Sequence, residues 1–382
     1  MRERTCVLLT LDFPPKEGGI SEWALEMARS FGRSGERVVV YCRSKVLGKT
    51  RLYSREPFEV VAMAGRNWAG FKHLYLLYYT LKIRLRENPA TIYATNWELG
   101  VVPSLLSAFL NLKVVVVAHG WEVVRAGGWW RAWLKRIALT RADWVIAVSG
   151  YTRTKVLEAG GDEDHTRVVP NGVDSTLFQP APRPDRLVRR YGLKNKKVIL
   201  TLARLVERKG HDQVIKALPE VLRRVPEAVY LIVGRGGYRE KLEEIAGRFG
   251  VRDQVVFVGY VPDRERADFY NLADVVAMPC RELADQGNVE GFGIVFLEAG
   301  ACGKPVVGGR SGGVADAIVE GETGFLVDPS DTRQIADRLI RFLTDVSLAD
   351  AMGKKGRRRA EALSWDSAAA RVLHFGESAD AA

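Results

Sequence analysis

The 382-residue chain lacks the features of a membrane-spanning or secreted protein. No window of about 20 residues is both apolar and uncharged, so we expect no membrane-spanning helix. The start, MRERTCVLLTLDFPP, has a short apolar run without a small-residue cleavage site, which favours a first buried strand over a signal peptide. The four cysteines are scattered and form neither a metal-binding spacing nor a disulfide framework, so a reduced, cytoplasmic setting is expected.

Acidic residues are too few in the first half of the chain to balance the basic ones. Met1 to Pro170 holds 25 Lys and Arg against 16 Asp and Glu, whereas the remainder is nearly balanced at 32 against 30. A basic excess of this kind favours an anionic partner, such as a membrane surface, a nucleic acid or an anionic substrate. The alternative is that the charge only keeps the protein soluble.

Apolar runs alternate with helical patterns along the whole chain, which is typical of βαβ units and of parallel sheets covered on both faces. The runs predict strands at Cys6–Leu11, Arg37–Cys42, Glu59–Ala64, Thr91–Thr95, Lys113–Ala118, Trp144–Val148, Val198–Leu202, Val229–Val233, Val255–Val258, Val275–Met278, Pro305–Val307 and Phe325–Val327. Helices are predicted between them, for example at Ile20–Arg33, Leu99–Leu110, Asp212–Arg224 and Tyr238–Phe249.

The alternation is interrupted by PNGVDSTLFQPAPRPDR at Pro170 to Arg186, whose Pro, Asn, Gly and Asp residues predict a linker. We therefore predict an α/β protein of two doubly wound, Rossmann-like domains, residues 1–170 and 171–362. In such sheets, ligands bind at the carboxyl ends of the strands. Two such domains facing each other would form one deep cleft.

The first domain offers candidate residues in two strand-end loops. Gly18 and Gly19 precede a helix, where glycines let backbone N–H groups approach a phosphate; an ordinary turn is the alternative. His119 follows a predicted strand in the segment HGWE and is a candidate ligand contact, unless it is a structural histidine. Trp121 and Glu122 are candidates for the acceptor side.

The second domain offers cations and glycines in equivalent loops. Arg204 and Lys209 lie in one strand-to-helix loop, where they can neutralise a pyrophosphate; a solvated basic loop is the alternative. The segment VGRGG places Gly234 in a loop suited to a phosphate or a turn. The segment FVGYVP places Tyr260 where a nucleobase can stack or form hydrogen bonds with the backbone.

The segment NVEGFGIVFLEAGACGKPVVGG carries two glutamates. Glu290 precedes a predicted helix and Glu298 lies inside it, about 80° beyond two helical turns, so the two carboxylates need not share one face. Gly291, Phe292 and Gly293 lead into the helix, and the N–H groups of the latter two are expected to point at an anion or a hydroxyl. Carboxylates accept hydrogen bonds from vicinal hydroxyls, which suits a sugar and a ribose. A capped helix with a solvated face is the alternative.

Together these segments resemble the retaining glycosyltransferases of family four, which have the GT-B fold. The resemblance covers nearly the whole chain and rests on FPPKEGGI, HGWE, PNGVD, ARLVERKG, EGFGIVFLEAGACGKPVV and GETGFLVDP. The glutamate–seven–glutamate motif is the most specific of these. Within the family, the chain is most similar to bacterial mannosyltransferases that act on phosphatidylinositol lipids with GDP-mannose.

The resemblance implies a role for each candidate residue. It assigns the donor diphosphate to Arg204 and Lys209, with Gly19 in a glycine loop near phosphate and acceptor. It assigns the nucleotide ribose to Glu298. It assigns the donor sugar to Glu290, Phe292 and Gly293. It assigns the contact with that sugar near the reacting centre to His119. The residues expected to act in catalysis are thus His119, Arg204, Lys209 and Glu290.

The resemblance also implies a mechanism and a third segment. The reaction is expected to be a front-face substitution with retention, without a metal ion or another cofactor. The final segment, residues 363–382, is expected to form a helix that crosses back to the first domain; its sequence begins LSWDSAAARVLHF.

Two basic and aromatic segments predict contact with a membrane. They are FKHLYLLYYTLKIRLR, at Phe71 to Arg86, and RAGGWWRAWLKR, at Arg125 to Arg136. Trp and Tyr favour the membrane interface, and Lys and Arg attract anionic head groups. We predict a lipid-linked acceptor and peripheral association with the inner face of the cell membrane, and no nucleic-acid partner. Ordinary helix packing with basic outer positions is the alternative.

Three other functions stay open at this point. A UDP-sugar, such as UDP-glucose or UDP-GlcNAc, is the alternative donor. A non-catalytic nucleotide-sugar-binding protein of the same fold is disfavoured because the candidate site is intact. A dinucleotide dehydrogenase is disfavoured because the glycines lack the spaced G-x-G-x-x-G fingerprint.

Overall fold

The computed structural model describes residues 4–43, 53–63, 72–125, 127–283 and 287–377. The chain divides into two compact units. Unit 1 comprises Met1–Asn171 and Trp365–Ala382, and unit 2 comprises Gly172–Ser364. Some residues of the predicted segments lie outside the described part of the chain, namely Ala64, Phe71, Ala126 and residues 378–382.

The described part of unit 1 is built on a parallel sheet with the strand order β3-β2-β1-β4-β5-β6-β7. The strands are β1 (Thr5–Leu9), β2 (Arg37–Arg43), β3 (Glu59–Met63), β4 (Thr91–Ala94), β5 (Lys113–Ala118), β6 (Trp144–Ala147) and β7 (Thr166–Val168). The four valines of β5 have no exposed surface, as expected of a sheet covered on both faces. The helices that cover it include α1 (Gly19–Arg33), α2 (Lys72–Glu87), α3 (Trp97–Leu110), α4 (Trp121–Val124), α5 (Trp129–Arg141) and α6 (Gly150–Glu158).

Unit 2 repeats this plan with the strand order β10-β9-β8-β11-β12-β13. The strands are β8 (Lys197–Leu202), β9 (Ala228–Val233), β10 (Val255–Gly259), β11 (Val275–Met278), β12 (Val306–Gly309) and β13 (Gly324–Val327). The helices are α7 (Asp185–Arg190), α8 (His211–Arg224), α9 (Arg239–Arg248), α10 (Asp263–Leu272), α11 (Ile294–Ala301), α12 (Val314–Ala317), α13 (Thr332–Thr344) and α14 (Val346–Ala362). Because β8 pairs with both β9 and β11, the strand order reverses beside β8, where ligands of such sheets bind.

The last helix, α15 (Trp365–Glu377), belongs to unit 1 although the whole of unit 2 precedes it in the sequence. It packs on α1, where Asp366 pairs with Arg33 at 2.5 Å. The ring of Phe375 lies 5.1 Å from that of Trp144. The predicted return of the C-terminal helix to the first domain is therefore confirmed. Among the described residues, no helix combines the length and apolar character that crossing a membrane requires.

The predicted strands are confirmed, each to within two residues at either end. The prediction missed β7, whose three residues, TRV, are too few to form a recognisable apolar run. The predicted linker contains the boundary between the units, at Asn171–Gly172, but most of its length packs within unit 2. Phe178 is buried, Arg357 donates to the carbonyl oxygens of Ser175 and Phe178 at 3.1 and 2.7 Å, and α7 begins at Asp185. The turn-forming residues of the segment do not indicate this packing, since such residues occur both in ordered turns and in linkers.

Glycines set the distance between α11 and α14. A Cβ atom on Gly353 would lie 2.0 Å from the carbonyl oxygen of Gly303, and one on Gly300 would lie 3.0 Å from that of Gly356. Contacts this short leave no room for a methyl group. The position of α11, and of any side chain that it carries, therefore depends on these glycines.

We expect Gly353→Ala to destabilise unit 2 by about 1–3 kcal/mol, because the added methyl group overpacks the contact with Gly303. Thermal unfolding should show a melting temperature lower by about 2–10 °C. The matched control is Gly237→Ala, since no atom lies within 4 Å of a Cβ atom built there. An equal fall in melting temperature in both variants would contradict the conclusion that Gly353 must be a glycine to approach the carbonyl oxygen of Gly303.

Candidate active site

The loop after β8 supplies two largely buried cations. Arg208 and Lys209 lie in the short turn Glu207–Lys209, with 15% and 10% of their side chains exposed. Gly210 ends the turn with a φ of +76°, and a Cβ atom there would lie 2.1 Å from the carbonyl oxygen of Pro279. Only glycine fits this backbone without moving the loop.

Glu290 lies against both cations. Its Oε2 atom accepts hydrogen bonds from Arg208 Nη1 at 2.6 Å and from Lys209 Nζ at 2.5 Å. Burial opposes the charge of Glu290, but Lys209 and Arg208 outweigh it and lower the pKa of the carboxyl to about 2. Burial also lowers the pKa of Lys209, and Glu290 counteracts that shift. We call these three residues the ion triplet.

Two neighbouring loops hold the ion triplet in place. The N–H of Arg281, after β11, donates to the carbonyl oxygen of Arg208 at 2.8 Å. The N–H of Gly313, after β12, donates to the carbonyl oxygen of Glu290 at 2.8 Å. A Cβ atom on Gly312 would lie 2.2 Å from that same oxygen, so the loop backbones are in direct contact. Loops from three adjacent strands thus meet at one site in unit 2.

Arg204 is not one of the cations of the ion triplet. It is exposed, and it forms no ion pair with any described residue. The sequence paired Arg204 with Lys209, and Arg208, which contacts Glu290 together with Lys209, was not predicted. The signal for Arg208 was its position next to Lys209 in a turn, where both side chains can reach one acceptor. A diphosphate role for Arg204 stays a prediction.

A short glycine-containing segment leads into α11. Gly291, Phe292 and Gly293 connect Glu290 to the helix, and Phe292 is buried. Gly293 has a φ of +94°, and a Cβ atom there would lie 2.7 Å from the Phe296 ring. No described residue accepts a hydrogen bond from the N–H of Phe292 or Gly293. Those two N–H groups are the ones that the sequence assigned to a ligand.

Glu298 is fully buried inside α11. Its two carboxylate oxygens accept hydrogen bonds from residues of α10, one from the Arg266 guanidinium and one from the Tyr270 hydroxyl, the latter at 2.5 Å. Phe178 closes the cluster, with its ring 5.5 Å from the Arg266 guanidinium. These internal partners were missed, because the spacing of the glutamates gives no information about α10. Contact of Glu298 with a ribose stays a prediction.

The loops after β9 and β10 complete this edge of unit 2. Gly234 has a φ of +139°, and a Cβ atom there would lie 2.0 Å from the carbonyl oxygen of Ala203. Its N–H donates to the carbonyl oxygen of Gly259 at 2.8 Å. Tyr260 is 43% exposed, and the Arg235 guanidinium lies 5.0 Å from the centre of its ring. The exposed pair offers a flat surface to an aromatic ligand.

In unit 1, His119 follows β5 at the carboxyl edge of the sheet. The backbone N–H of His119 donates to Glu122 Oε1 at 2.6 Å. The imidazole ring lies edge-on to the Trp23 ring of α1, with the two ring centres 5.4 Å apart. Burial lowers the pKa of His119 to about 3, and Nε2 has no hydrogen-bond partner among the described residues. His119 is thus a neutral imidazole beside the helix that Gly18 and Gly19 begin.

The two residues predicted for the acceptor side differ in environment. Trp121 is 39% exposed, whereas Glu122 is buried and braces the loop through the N–H of His119. Burial raises the pKa of Glu122 to about 7. Gly18 caps α1 with a φ of +143°, and no atom lies within 4 Å of a Cβ atom built there. The acceptor contacts, and a site shared with unit 2, stay predictions.

Two family models match the chain. The model described as Glycosyltransferase Family 4 matches residues 17–177, and the model described as Glycosyl transferases group 1 matches residues 185–359. Together the two matches cover most of the chain between residues 17 and 359.

Curated relatives match over nearly the full length. The chain is 36% identical over 386 residues to the GDP-mannose-dependent alpha-(1-6)-phosphatidylinositol monomannoside mannosyltransferase of Mycolicibacterium smegmatis, with 97% of each chain covered. It is 32% identical over 391 residues to the GDP-mannose-dependent monoacylated alpha-(1-6)-phosphatidylinositol monomannoside mannosyltransferase of Corynebacterium glutamicum, with 98% of each covered.

Solved structures share the fold. HepE of Anabaena, in complex with UDP and glucose, has a TM-score of 0.83 at 22% identity, covering 98% of this chain and 100% of that chain. A glycosyltransferase of Rickettsia africae has a TM-score of 0.85 at 20% identity, covering 99% of both. The predicted GT-B fold is confirmed.

His211, the first residue of α8, is fully buried, and neither ring nitrogen has a hydrogen-bond partner among the described residues. Burial, and then Lys209, lowers its pKa to about 3. The unfolded chain takes up a proton below about pH 6.5, whereas the folded chain does so only near pH 3, so stability falls as the pH drops through this window.

We therefore expect His211→Leu to reduce the loss of unfolding free energy between pH 7 and pH 5 by about 2 kcal/mol, as measured by urea unfolding. His165→Leu is the control, because 53% of the His165 side chain is exposed. The same pH dependence in the wild type and in His211→Leu would contradict a buried neutral imidazole.

Proposed function

The chain belongs to the glycosyltransferases of family 4, and we propose that it transfers mannose from GDP-mannose to a phosphatidylinositol-type lipid at a membrane surface. The observation that carries this proposal is the full-length similarity, at 36% identity, to an enzyme whose name specifies GDP-mannose and a phosphatidylinositol monomannoside. Relatives from two genera carry such names at 97–98% coverage, which favours the same donor and acceptor classes here.

The proposed donor site uses the chemistry of unit 2. Lys209 and Arg204 bind the diphosphate through charge-assisted hydrogen bonds. Glu290 and the N–H groups of Phe292 and Gly293 hold the hydroxyls of the sugar. Glu298 accepts hydrogen bonds from the ribose hydroxyls after its internal donors, Arg266 and Tyr270, move away from its carboxylate. The Arg235–Tyr260 pair suits the nucleobase, since its exposed face is planar.

The proposed reaction retains the configuration at the anomeric carbon. The oxygen of an acceptor hydroxyl forms a bond to that carbon on the face from which the β-phosphate oxygen departs with the bonding electron pair. The hydroxyl proton passes to a phosphate oxygen, and GDP leaves. The residues contribute positioning and charge stabilisation of the departing diphosphate, without a metal ion.

A donor panel tests this assignment. We expect GDP-mannose at about 100 times its Kd to raise the melting temperature by about 5–10 °C, and UDP-glucose, UDP-GlcNAc and UDP-galactose to raise it far less. A clear preference for a UDP-sugar would overturn the mannosyl assignment. Mannose transfer should be insensitive to EDTA.

Lys209→Ala should lower kcat/KM for mannose transfer about 100-fold, because a donor to the developing charge is lost. The control is Lys216→Ala on α8, a lysine 32% exposed and paired with Asp212.

The proposed membrane contact uses exposed aromatic residues of unit 1. On α5, Trp129, Trp130 and Trp133 are 84%, 52% and 60% exposed, with the exposed Arg136 on the same helix. Helices α2 and α3 add large exposed apolar side chains, namely Leu74, Tyr78, Leu81, Leu85, Leu105 and Phe109. Indole rings beside cations fit the interface of an anionic bilayer.

We expect the double variant Trp129→Ser/Trp133→Ser to bind phosphatidylinositol-containing vesicles at least about tenfold more weakly in a flotation assay. Its thermal response to GDP should be unchanged. Phe249→Ser is the control, because Phe249 is an exposed aromatic residue of unit 2. Equal vesicle binding by the wild type and the double variant would show that α5 does not contact the membrane.

A further inference from the structure

Two cations of the ion triplet converge on a single oxygen atom. Arg208 Nη1 and Lys209 Nζ lie 2.6 and 2.5 Å from the same Oε2 of Glu290. We propose that this oxygen stands where a donor phosphate oxygen binds, that Arg208 is a diphosphate ligand beside Lys209, and that Glu290 holds both cations until the donor displaces it.

The chemistry of the two acceptors is interchangeable. A carboxylate oxygen and a phosphate oxygen both accept short, charge-assisted hydrogen bonds from guanidinium and ammonium groups. Arg208 offers a planar fork of donors and Lys209 a point charge, and this pair of donor types matches a bridged diphosphate. A site that holds Glu290 Oε2 in this geometry therefore already holds the donors that a phosphate needs.

Burial explains why a carboxylate occupies the site. At 15% and 10% exposure, Arg208 and Lys209 would be two nearly buried positive charges without an anion, an arrangement that is strongly unfavourable. Among the described residues, Glu290 is the acceptor for both. It therefore keeps the cations ionised and ordered, but it also competes with the diphosphate for them.

The position of Glu290 gives the displaced carboxylate a second use. Its backbone is fixed by Gly313, so rotation of the side chain is enough to release the cations. Glu290 is also three residues before Gly293, whose N–H lies at the start of α11. A carboxylate freed beside this helix start becomes available to the hydroxyls of the donor sugar. Diphosphate binding and sugar binding are thereby coupled through one side chain.

This inference rests on the proposed function only in that the ligand is a nucleotide sugar; it does not depend on the base or the sugar. The test is calorimetric titration of the full-length chain with inorganic pyrophosphate and with GDP. We expect Glu290→Gln to bind pyrophosphate about tenfold more tightly, because the internal competitor has lost its charge, and Arg208→Gln to bind it about tenfold more weakly. In the double variant Glu290→Gln/Arg208→Gln, the gain in pyrophosphate affinity from Glu290→Gln should be smaller, since one of the two released donors is gone.

The matched controls are Glu220→Gln and Arg223→Gln, which make the same charge changes in an exposed ion pair of α8. They should shift pyrophosphate affinity by less than about twofold, since exposed pairs of this kind contribute little. Circular dichroism and thermal unfolding establish which variants are folded. Arg208→Gln leaves the Glu290–Lys209 pair in place, so its pyrophosphate affinity still tests the inference if Glu290→Gln does not fold.

Unchanged or weaker pyrophosphate binding by folded Glu290→Gln would overturn the inference, as would unchanged binding by Arg208→Gln. The ratio of GDP-mannose to GDP affinity should fall in Glu290→Gln, because the carboxylate no longer meets the sugar. A wild-type preference for UDP over GDP would instead count against the mannosyl assignment, and the pyrophosphate results would still stand.

Discussion

The buried contact of Glu290 with Arg208 and Lys209 is the interaction on which the site in unit 2 depends. Three charges lie in an environment where each alone would be costly, and they compensate one another only while their geometry is kept. That geometry needs the loops after β8, β11 and β12 to touch, which Gly210 and Gly312 permit by having no side chain. The ion triplet therefore explains both the glycines around it and the close packing of these loops.

The same constraint extends through α11. This helix begins just after Glu290, carries Glu298 to the Arg266 and Tyr270 donors of α10, and packs on α14 through glycine contacts. Glu290 of the ion triplet, a helix start whose N–H groups have no acceptor among the described residues and a buried carboxylate are thus carried by one helix and the loop before it. All of these parts belong to unit 2, so the candidate donor site lies on a single sheet and the helices that cover it.

Sequence reasoning located the loops of the site better than its contacts. Valine-rich strands such as β5 determine the sheet, and the strand ends then determine which loops lie at its carboxyl edge. Spacing does not give side-chain direction, so the contact of Arg208 with Glu290 was not predicted. The partners of Glu298 come from α10, which is remote in sequence and has no recognisable polar motif. Phe178 was taken for part of a linker because its neighbours are turn formers, although its ring is buried.

The central claim is that the anion position at Arg208 and Lys209 passes from Glu290 to the donor. A crystal structure of the chain with GDP measures this directly. The account predicts a β-phosphate oxygen within about 3 Å of Arg208 and Lys209, with the Glu290 carboxylate beyond about 3.5 Å from both. A complex in which Glu290 keeps both cations while the diphosphate binds elsewhere would contradict it.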